Sequence, residues 1–405
     1  MRKRLKITFI TDTDHPKSDG VVRFLDGVRG PLLERGHKIT MLIPKFPSGG
    51  PNPYRYEGVT YYEVPAIPRP IVDYHISYPI PWILKRAIED ADIVFVHDVL
   101  PLGQFGLWIA KLLKKPTSFF CHHDERPLLI STGVISGVVG SDFIARILGG
   151  IIEQFISIFY KSVDQFFAAT NRFSSKILRF KTPIDKIVRV PFAIDLDRFK
   201  PGTSPQLRER HGIPQDAKVG LFIGRISPEK NADVIIKAVK ETIKKYDNFY
   251  AVFGGRGILK DEFTKVAEES NGRIVYTDWI LEEELADYYR LGDFFIMPSL
   301  HESTSFTVLE AMATGLPCIM SGFQHCKEFQ EGENAFFVYD VRDVKEVISA
   351  IDKMMNLTDE KHLEMTSNNR IILESRSWEQ SVTIIEDAWY EQLKEYNERL
   401  SKKKK

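Results

Sequence analysis

The chain has 405 residues, 43% hydrophobic and 27% charged, which is an ordinary globular composition with room for two or three domains. Its 55 basic and 55 acidic residues balance, which excludes a general electrostatic attraction to nucleic acid. The basic residues at the start of the chain are followed by only a short apolar run, so no secretory signal is predicted. No uncharged apolar stretch reaches about 18 residues, so no membrane-spanning helix is predicted.

The first half of the chain alternates strand-like and helix-like segments. Lys6–Ile10 is predicted as a strand, Val21–Glu34 as a helix and Lys38–Ile43 as the next strand. Three more β-rich runs follow: Ile93–Val96, Thr117–Cys121 and Gln165–Ala169. Strands separated by helices indicate right-handed crossovers and a parallel sheet, so residues 1–195 are predicted as one Rossmann-like domain.

A second alternation follows a segment rich in proline, glycine and charge, residues 196–217, which is predicted as a hinge. Residues 218–376 form the second predicted domain. Residues 377–405 are predicted as a final helix, Ser377–Leu400, that packs back on the first domain, followed by a lysine-rich tail. The fold class is therefore α/β, with two doubly wound domains facing a deep cleft. The predicted elements of the second domain are strands Val219–Ile223, Tyr250–Phe253, Ile274–Tyr276, Phe294–Met297 and Cys318–Met320, and helices Asp233–Tyr246 and Phe306–Ala313.

Two glutamates separated by seven residues stand out in the second domain. Glu302 follows the strand Phe294–Met297, and Glu310 lies in the opening turns of the helix Phe306–Ala313. Helical side chains lean toward the N-terminus, so both carboxylates address the same helix end. The N–H groups there favour phosphate, which repels carboxylates, so the glutamates are predicted to accept hydrogen bonds from sugar hydroxyls. A solvated helix with two surface glutamates is the plainer alternative.

A glycine and two cations follow the first strand of the second domain. Gly224 comes directly after Val219–Ile223, and Arg225 and Lys230 come next. The glycine lets the chain turn where a side chain would obstruct it. Arginine can bind phosphate through two hydrogen bonds and lysine adds a compact charge, so this loop is predicted to bind phosphate. A surface turn with two solvated cations is the alternative.

The two motifs together resemble the donor site of retaining glycosyltransferases of family 4, which have the GT-B fold. The matching residues are Gly224-Arg225 with Glu229-Lys230, followed by Glu302-x7-Glu310. Elsewhere, residues 19–23 (DGVVR) and 35–37 (RGH) resemble the family's opening loop, helix and turn, and residues 190–195 (VPFAID) with 199–201 (FKP) resemble the segment before its hinge. In combination the motifs are specific for the superfamily, but not for the donor sugar or the acceptor.

The resemblance implies a role for each matched residue. Arg225 and Lys230 would bind the donor diphosphate. Glu302 would contact the donor sugar, and Glu310 would hold the ribose. No metal and no other cofactor is expected beside the nucleotide-diphosphate sugar, because protein cations and helix dipoles would take the place of a metal. The remaining donor contacts would come from Gly20, from the backbone amides of Ser305, Phe306 and Thr307, and from the strand end that meets the nucleobase, Trp279 and Ile280.

His122 follows the strand Thr117–Cys121, and in the family a histidine at this place lies at the reaction centre. The run Cys121-His122-His123-Asp124 resembles a set of metal ligands, but adjacent side chains diverge from a strand and cannot all bind one ion. No metal site is predicted. Cys121, Cys318 and Cys326 lack the spacing of a zinc site and are expected to be buried thiols in a reducing cytoplasm.

The segment Leu128–Tyr160 is unusually apolar and follows His122 closely. Its later part fits an amphipathic helix. An exposed apolar surface in the acceptor-side domain suits a lipid acceptor or docking on an anionic membrane, to which the tail Lys402–Lys405 adds electrostatic attraction. A buried helix pair and a merely solvated tail are the alternatives.

Three positions depart from the family's pattern. Asp19 and Ser305 stand where glycine is common, and Gln324-His325-Cys326-Lys327 replaces a glycine-rich turn. These departures affect the geometry around the donor and the acceptor, but they leave the charged groups in place.

These observations predict a cytoplasmic, peripherally membrane-bound retaining glycosyltransferase that moves a hexosyl group to a glycan or lipid. In the expected front-face mechanism the departing phosphate takes the acceptor proton. A nucleotide-sugar 2-epimerase and a non-catalytic sugar-nucleotide-binding protein stay open as alternatives. A dinucleotide oxidoreductase is disfavoured because residues 11–20 (TDTDHPKSDG), which follow the first strand, lack the GxGxxG motif of such enzymes. The run Gly254-Gly255-Arg256-Gly257 follows another strand but resembles that motif only weakly.

Overall fold

The chain divides into two compact units, Met1–Phe192 with Trp378–Lys405, and Ala193–Ser377. The structure is a computed structural model that describes residues 2–14, 19–45, 52–68, 75–99, 101–122, 142–300, 302, 305–324 and 329–403. Both units are α/β, each built on a parallel sheet.

The first unit is built on an eight-stranded sheet in the order β10-β9-β8-β7-β1-β2-β4-β3, and a separate antiparallel pair, β5 and β6. Among the described strands of the eight-stranded sheet, only β3 runs antiparallel to its neighbour. The inner strands β7 and β8 are buried at every position, as parallel strands covered by helices on both faces must be; β7 is entirely apolar, and β8 adds two buried hydroxyl residues, Thr117 and Ser118, to its apolar residues. The strands are β1 (Lys6–Ile10), β2 (Lys38–Pro44), β3 (Tyr54–Tyr56), β4 (Val59–Val64), β5 (Ala66–Pro68), β6 (His75–Ser77), β7 (Ile93–Val96), β8 (Thr117–Cys121), β9 (Gln165–Ala168) and β10 (Ile187–Arg189).

Helices connect these strands as right-handed crossovers require. The apolar segment that we predicted at Leu128–Tyr160 is described only from residue 142, where a long helix begins. The inner face of that helix contributes Phe159 and Tyr160, both fully buried, to a core shared with Phe119 and Phe166. The helices are α1 (Gly20–Glu34), α2 (Pro81–Ile88), α3 (Pro101–Leu112), α4 (Asp142–Ser162) and α5 (Asn171–Leu178).

The second unit is built on a six-stranded parallel sheet in the order β13-β12-β11-β14-β15-β16. The predicted hinge, residues 196–217, belongs to this unit and includes a short helix, α6. The strands are β11 (Lys218–Ile223), β12 (Phe249–Gly254), β13 (Ile274–Thr277), β14 (Phe294–Met297), β15 (Cys318–Ser321) and β16 (Ala335–Val338). The helices are α6 (Pro205–Arg210), α7 (Ala232–Lys245), α8 (Lys260–Glu269), α9 (Leu285–Leu291), α10 (Phe306–Ala313), α11 (Val344–Met355) and α12 (Asp359–Glu374).

The last helix, α13 (Trp378–Lys403), belongs to the first unit. Its Trp389 is fully buried against Phe95, and its Gln392 donates a 2.9 Å hydrogen bond to the Thr117 carbonyl. The Trp378 ring lies so close to Gly27 that a Cβ there would be 2.1 Å from it. Within the described ranges, no helix is both long and apolar enough to cross a membrane.

Candidate active site

Two glycine-containing loops contact each other at the carboxyl edge of the second sheet. The amide of Gly224, after β11, donates to the Gly254 carbonyl at 2.9 Å, and the amide of Ile226 donates to the Arg256 carbonyl at 2.9 Å. A Cβ at Gly255 would lie 2.0 Å from the Gly224 oxygen. The glycine run after β12 therefore packs against the Gly224 loop, and a side chain at Gly255 would push this loop away.

The Gly224 loop is joined to the loop that bears Glu302. Lys230 forms an ion pair with Oε2 of Glu302, although 72 residues separate them in the chain. The Leu300 amide also donates to the Glu229 carbonyl at 3.1 Å. Both members of the ion pair are mostly buried, with side chains 21% and 12% exposed. The structure thus brings the two predicted motifs together, and among the described residues none engages Oε1 of Glu302.

Arg225 lies on the same loop as Lys230 and is more exposed. Its Nη1 lies 2.9 Å from Oε1 of Glu229, and 42% of its side chain is open to solvent. An arginine that is held by one carboxylate at the edge of a sheet keeps guanidinium N–H groups for a second anion. The loop therefore presents two cations, each already oriented by a carboxylate.

The N-terminus of α10 follows Glu302. Ser305 occupies the N-cap, but its hydroxyl bonds to the Thr307 hydroxyl at 2.8 Å and makes no cap hydrogen bond to the helix backbone. Ser305 and Phe306 are each 7% exposed. The partial positive charge at a helix N-terminus favours an anion. The predicted amide contacts from Ser305, Phe306 and Thr307 belong to this helix end.

Glu310 is fully buried one turn into α10. Its Oε2 accepts a 2.8 Å hydrogen bond from the hydroxyl of Tyr289, which is also fully buried. A buried carboxylate requires such donors, because an unpaired charge in the interior is costly. The predicted contact of Glu310 with ribose stays a prediction. Sequence reasoning missed Tyr289, because no motif or periodicity links a tyrosine on α9 to a glutamate on α10.

Trp279 and Ile280 lie beside the glycine run. The Gly255 amide donates to the Asp278 carbonyl at 2.8 Å, and a Cβ at Gly254 would lie 2.3 Å from Cδ1 of Ile280. Trp279 is 50% exposed, and the Arg256 guanidinium lies 5.9 Å from its ring centre. An exposed aromatic face next to the Gly224 loop offers a flat apolar surface of the kind that a nucleobase can contact.

His122 lies in the first unit, at the carboxyl edge of its sheet. Its Nε2 is 2.9 Å from Nδ1 of His97, which follows β7 as His122 follows β8. The rings of Phe120 and Phe24 lie 4.6 Å and 5.1 Å from the His122 ring. Sequence reasoning missed His97, although a histidine directly after each of two neighbouring strands is a signal that could have found it.

The surroundings of His97 determine which nitrogen carries a proton. Complete burial, together with the nearby Arg29 guanidinium, lowers the pKa of His97 to about 3, so the ring is neutral at pH 7. No described residue bonds to its Nε2. A buried N–H without a partner is rarer than a buried bare acceptor, so Nδ1 of His97 carries the proton and donates to His122. Nε2 of His122 is then the acceptor, and Nδ1 of His122 carries its proton.

Gly20 is the first residue of α1, and the adjacent Asp19 is its N-cap. Oδ1 of Asp19 accepts from the amides of Val21 and Val22 at 2.9 Å and 3.0 Å. The Thr13 hydroxyl donates to Oδ2 at 2.8 Å. The residue that replaces glycine in the family's pattern therefore places a carboxylate at this helix N-terminus. The predicted donor contact of Gly20 stays a prediction.

Family models match two adjoining parts of the chain. The model described as Glycosyltransferase Family 4 matches residues 18–198, and the model described as Glycosyl transferases group 1 matches residues 217–356. The chain belongs to glycosyltransferase family 4.

Several relatives of this glycosyltransferase are lipid-glycosylating enzymes by name. Alpha-monoglucosyldiacylglycerol synthase of Streptococcus pneumoniae is 26% identical over 333 residues, which cover 78% of this chain and 71% of the relative. The synthase of the same name from Acholeplasma laidlawii is 23% identical, covering 82% of this chain and 84% of the relative. An Escherichia coli alpha-1,3-galactosyltransferase named for a GlcNAc-diphosphoundecaprenol substrate is 27% identical, covering 45% and 48%.

Solved structures show that the glycosyltransferase has the GT-B fold. Sucrose-phosphate synthase from Thermosynechococcus elongatus superposes with a TM-score of 0.71 at 16% identity, covering 96% of this chain and 99% of that chain. HepE from Anabaena, solved with UDP and glucose, gives 0.69 at 14% identity, covering 95% and 99%. The predicted fold class is confirmed, and these relatives give no support to the 2-epimerase alternative.

Some predicted positions lie outside the described residues. These are His123 and Asp124 after His122, residues 325–328 after Gln324, and Lys404 and Lys405 of the tail. Among the residues that are described, no group of three or more histidine, cysteine or acidic side chains could hold a metal ion.

Proposed function

We propose that this glycosyltransferase moves a hexosyl group, with retention of the anomeric configuration, from a nucleotide-diphosphate sugar to a lipid or lipid-linked glycan. The observation that carries the donor part is the cluster in the second unit. Two cations, Arg225 and Lys230, lie on the loop after β11, and the Lys230–Glu302 ion pair links this loop to the start of α10. Such a cluster suits a diphosphate with a sugar attached.

Each charged group has a part in the proposed reaction. The diphosphate gains negative charge as the bond to the sugar breaks, and Arg225, Lys230 and the N-terminus of α10 stabilise that charge. Oε2 of Glu302 orients Lys230, and Oε1 accepts from a sugar hydroxyl. The departing phosphate oxygen takes the acceptor proton, so no protein base is required. These cations take the part of a metal, and turnover is proposed to be metal-independent.

His122 is proposed to contact the sugar as a hydrogen-bond donor. Because its Nε2 accepts from His97, the hydrogen bond that we propose from this ring to a substrate oxygen would come from its Nδ1–H. With a proton already on Nδ1, His122 cannot act as a base at that nitrogen. This assignment agrees with a mechanism in which the leaving phosphate, rather than a side chain, takes the proton.

A lipid acceptor is supported by the names of the relatives, which include two glucosyldiacylglycerol synthases and an undecaprenol-linked galactosyltransferase. It requires contact with a membrane, so the enzyme is proposed to act as a peripheral protein. Cys121 and Cys318 are both buried, and Cys318 is a free thiol, which agrees with a reducing, cytoplasmic location.

The deciding experiment incubates the enzyme with a panel of radiolabelled nucleotide sugars and a membrane lipid extract, and asks which donor labels the lipid phase. NMR of the first-formed product then gives its anomeric configuration. Label in the lipid phase with the donor's configuration supports the proposal. An inverted anomer would refute the mechanism, and label that enters only water-soluble products would refute the lipid acceptor.

A further inference from the structure

Two neighbouring helices of the first unit expose apolar side chains at helical spacing. On α3 and on α4 the exposed positions recur every three or four residues, which brings them to one face of each helix. Leu112 is 77% exposed and Ile151 is 59% exposed. We name this surface the two-helix apolar face; it consists of Phe105, Trp108, Leu112, Ile151, Phe155 and Ile158.

Aromatic contacts make the face continuous across the two helices. The ring centres of Phe105 and Trp108 are 5.0 Å apart, and those of Trp108 and Phe155 are 6.0 Å apart, both pairs edge to face. Soluble monomers rarely expose a contiguous apolar surface of this kind unless it binds something.

The core does not account for this face. On its inner side α4 buries Ile156, Phe159 and Tyr160, which complete the core of the first unit. The alternative of a buried helix therefore explains one side of α4 only. Ile151 and Ile158 lie on the other side, 59% and 50% exposed.

Basic residues gather where α3 and α4 end. Lys111 pairs with Asp164 at 2.6 Å, and the neighbouring cations Lys186 and Arg399 add to the effect of burial in lowering the pKa of Lys111. Arg399 lies on α13, so the last helix brings its basic end to the same region. Further basic residues close to these helix ends in the chain are Lys114 and Lys115 after α3, Lys161 on α4 and Lys402 on α13; Glu153 is an exposed acid on α4.

We propose that the two-helix apolar face docks this enzyme on an anionic lipid bilayer. The apolar side chains enter the interfacial layer, and the lysines contact the phosphate head groups. A second copy of the chain is the weaker candidate, because two such surfaces would bring like charges together. The inference rests on the proposed lipid acceptor, which has to be reached in a membrane.

The test uses the full chain and sucrose-loaded vesicles of phosphatidylcholine, with and without phosphatidylglycerol. Leu112→Asp and Ile158→Asp each remove an exposed apolar side chain from the face, and each is expected to lower vesicle binding about tenfold or more. The double variant Lys114→Gln/Lys115→Gln loses two positive charges. Its vesicle binding is expected to fall about fivefold for each lysine, and only on vesicles that contain phosphatidylglycerol. Ile371→Asp, at a position 65% exposed on α12 in the other unit, is the matched control and should bind as the wild type does.

Melting curves and UDP binding accompany each variant. Every variant should have the melting temperature of the wild type and bind UDP equally, because the substituted side chains are exposed or half-buried and none belongs to the donor cluster. A wild type that ignores vesicles, or an Ile158→Asp variant that sediments as the wild type does, would overturn the docking surface. A wild-type dimer that Ile158→Asp converts to a monomer would do the same and assign the face to self-association. Vesicle binding without any labelling of lipid would overturn the proposed acceptor while supporting the docking surface.

Discussion

Gly255 offers a test of whether the contact between the two glycine loops maintains the donor site. Its backbone φ is +128°, which side chains with a Cβ rarely adopt, and a Cβ there would lie 2.0 Å from the Gly224 carbonyl oxygen. Ordinary contact at such a position begins at 3.4 Å, so the loop has to move by roughly 1 Å or more in Gly255→Ala. Arg225 directly follows Gly224, so it lies on the loop that has to move.

The expected destabilisation has two parts. Backbone strain at such a φ costs on the order of 1–3 kcal/mol, and forcing an atom into packed surroundings costs about 1–3 kcal/mol. Gly255→Ala is therefore expected to lower the free energy of unfolding of the second unit by about 2–6 kcal/mol. That is a large share of the roughly 5–15 kcal/mol that a domain has.

Two other glycines separate these parts. Gly272 has a φ of +79° and nothing within 4 Å of its added Cβ, so Gly272→Ala should show the backbone part alone. Gly257 shows no positive φ, but its added Cβ would lie 2.0 Å from the Ile226 carbonyl oxygen, so Gly257→Ala should show the steric part alone.

Urea unfolding gives the free energies, and calorimetric titration with UDP, ADP and GDP gives the affinity of the folded variants. Gly255→Ala and Gly257→Ala should weaken nucleotide binding about tenfold or more, since a displacement of 1 Å at a charged contact can cost up to about a hundredfold. Gly272→Ala should bind as the wild type does. Undiminished affinity in Gly255→Ala, or an equal loss in Gly272→Ala, would refute the reasoning.

Four further predictions concern the charged groups, metal independence and His97. Arg225→Ala and Lys230→Ala should each slow turnover by about a hundredfold or more, measured as transfer of labelled sugar, and wild-type activity in the double variant would remove both from the donor site. Turnover should survive a chelator, and a strict requirement for added manganese or magnesium would contradict metal independence. His97→Asn keeps a hydrogen-bond donor near the position of Nδ1, whereas His97→Leu removes it. The kcat of His97→Asn should therefore fall less than the kcat of His97→Leu, and the KM for the donor should be unchanged in both variants. Equal losses of kcat would argue against the hydrogen bond to His122. Because His97 titrates near 3 when folded and near 6.5 when unfolded, the free energy of unfolding of the first unit should fall as pH drops below about 6.5, and less steeply in His97→Asn.

The sequence was sufficient for the central strands of both sheets and for the edge at which the chemistry lies, but not for the outer strands β3, β4, β10 and β16. β1, β7 and β8 have the predicted bounds, because short runs rich in apolar, β-branched and aromatic residues favour a buried strand. Since parallel strands end at one edge of their sheet, the loops after β11 and β14 were expected to meet, and Lys230 and Glu302 do so. By contrast β16, α11 and α12 were not predicted, and the predicted hinge contains α6.

Only the tertiary structure determined which groups are partners across elements. Periodicity tells which face of an element is buried, but not what lies against that face. The pairs His97–His122 and Tyr289–Glu310 depend on which strands and helices are neighbours. The outer side of α4 is a further example, because the sequence left open whether its apolar residues belong to the core or to a membrane surface. The structure buries Phe159 and exposes Ile158, because the sheet can cover only one side of the helix.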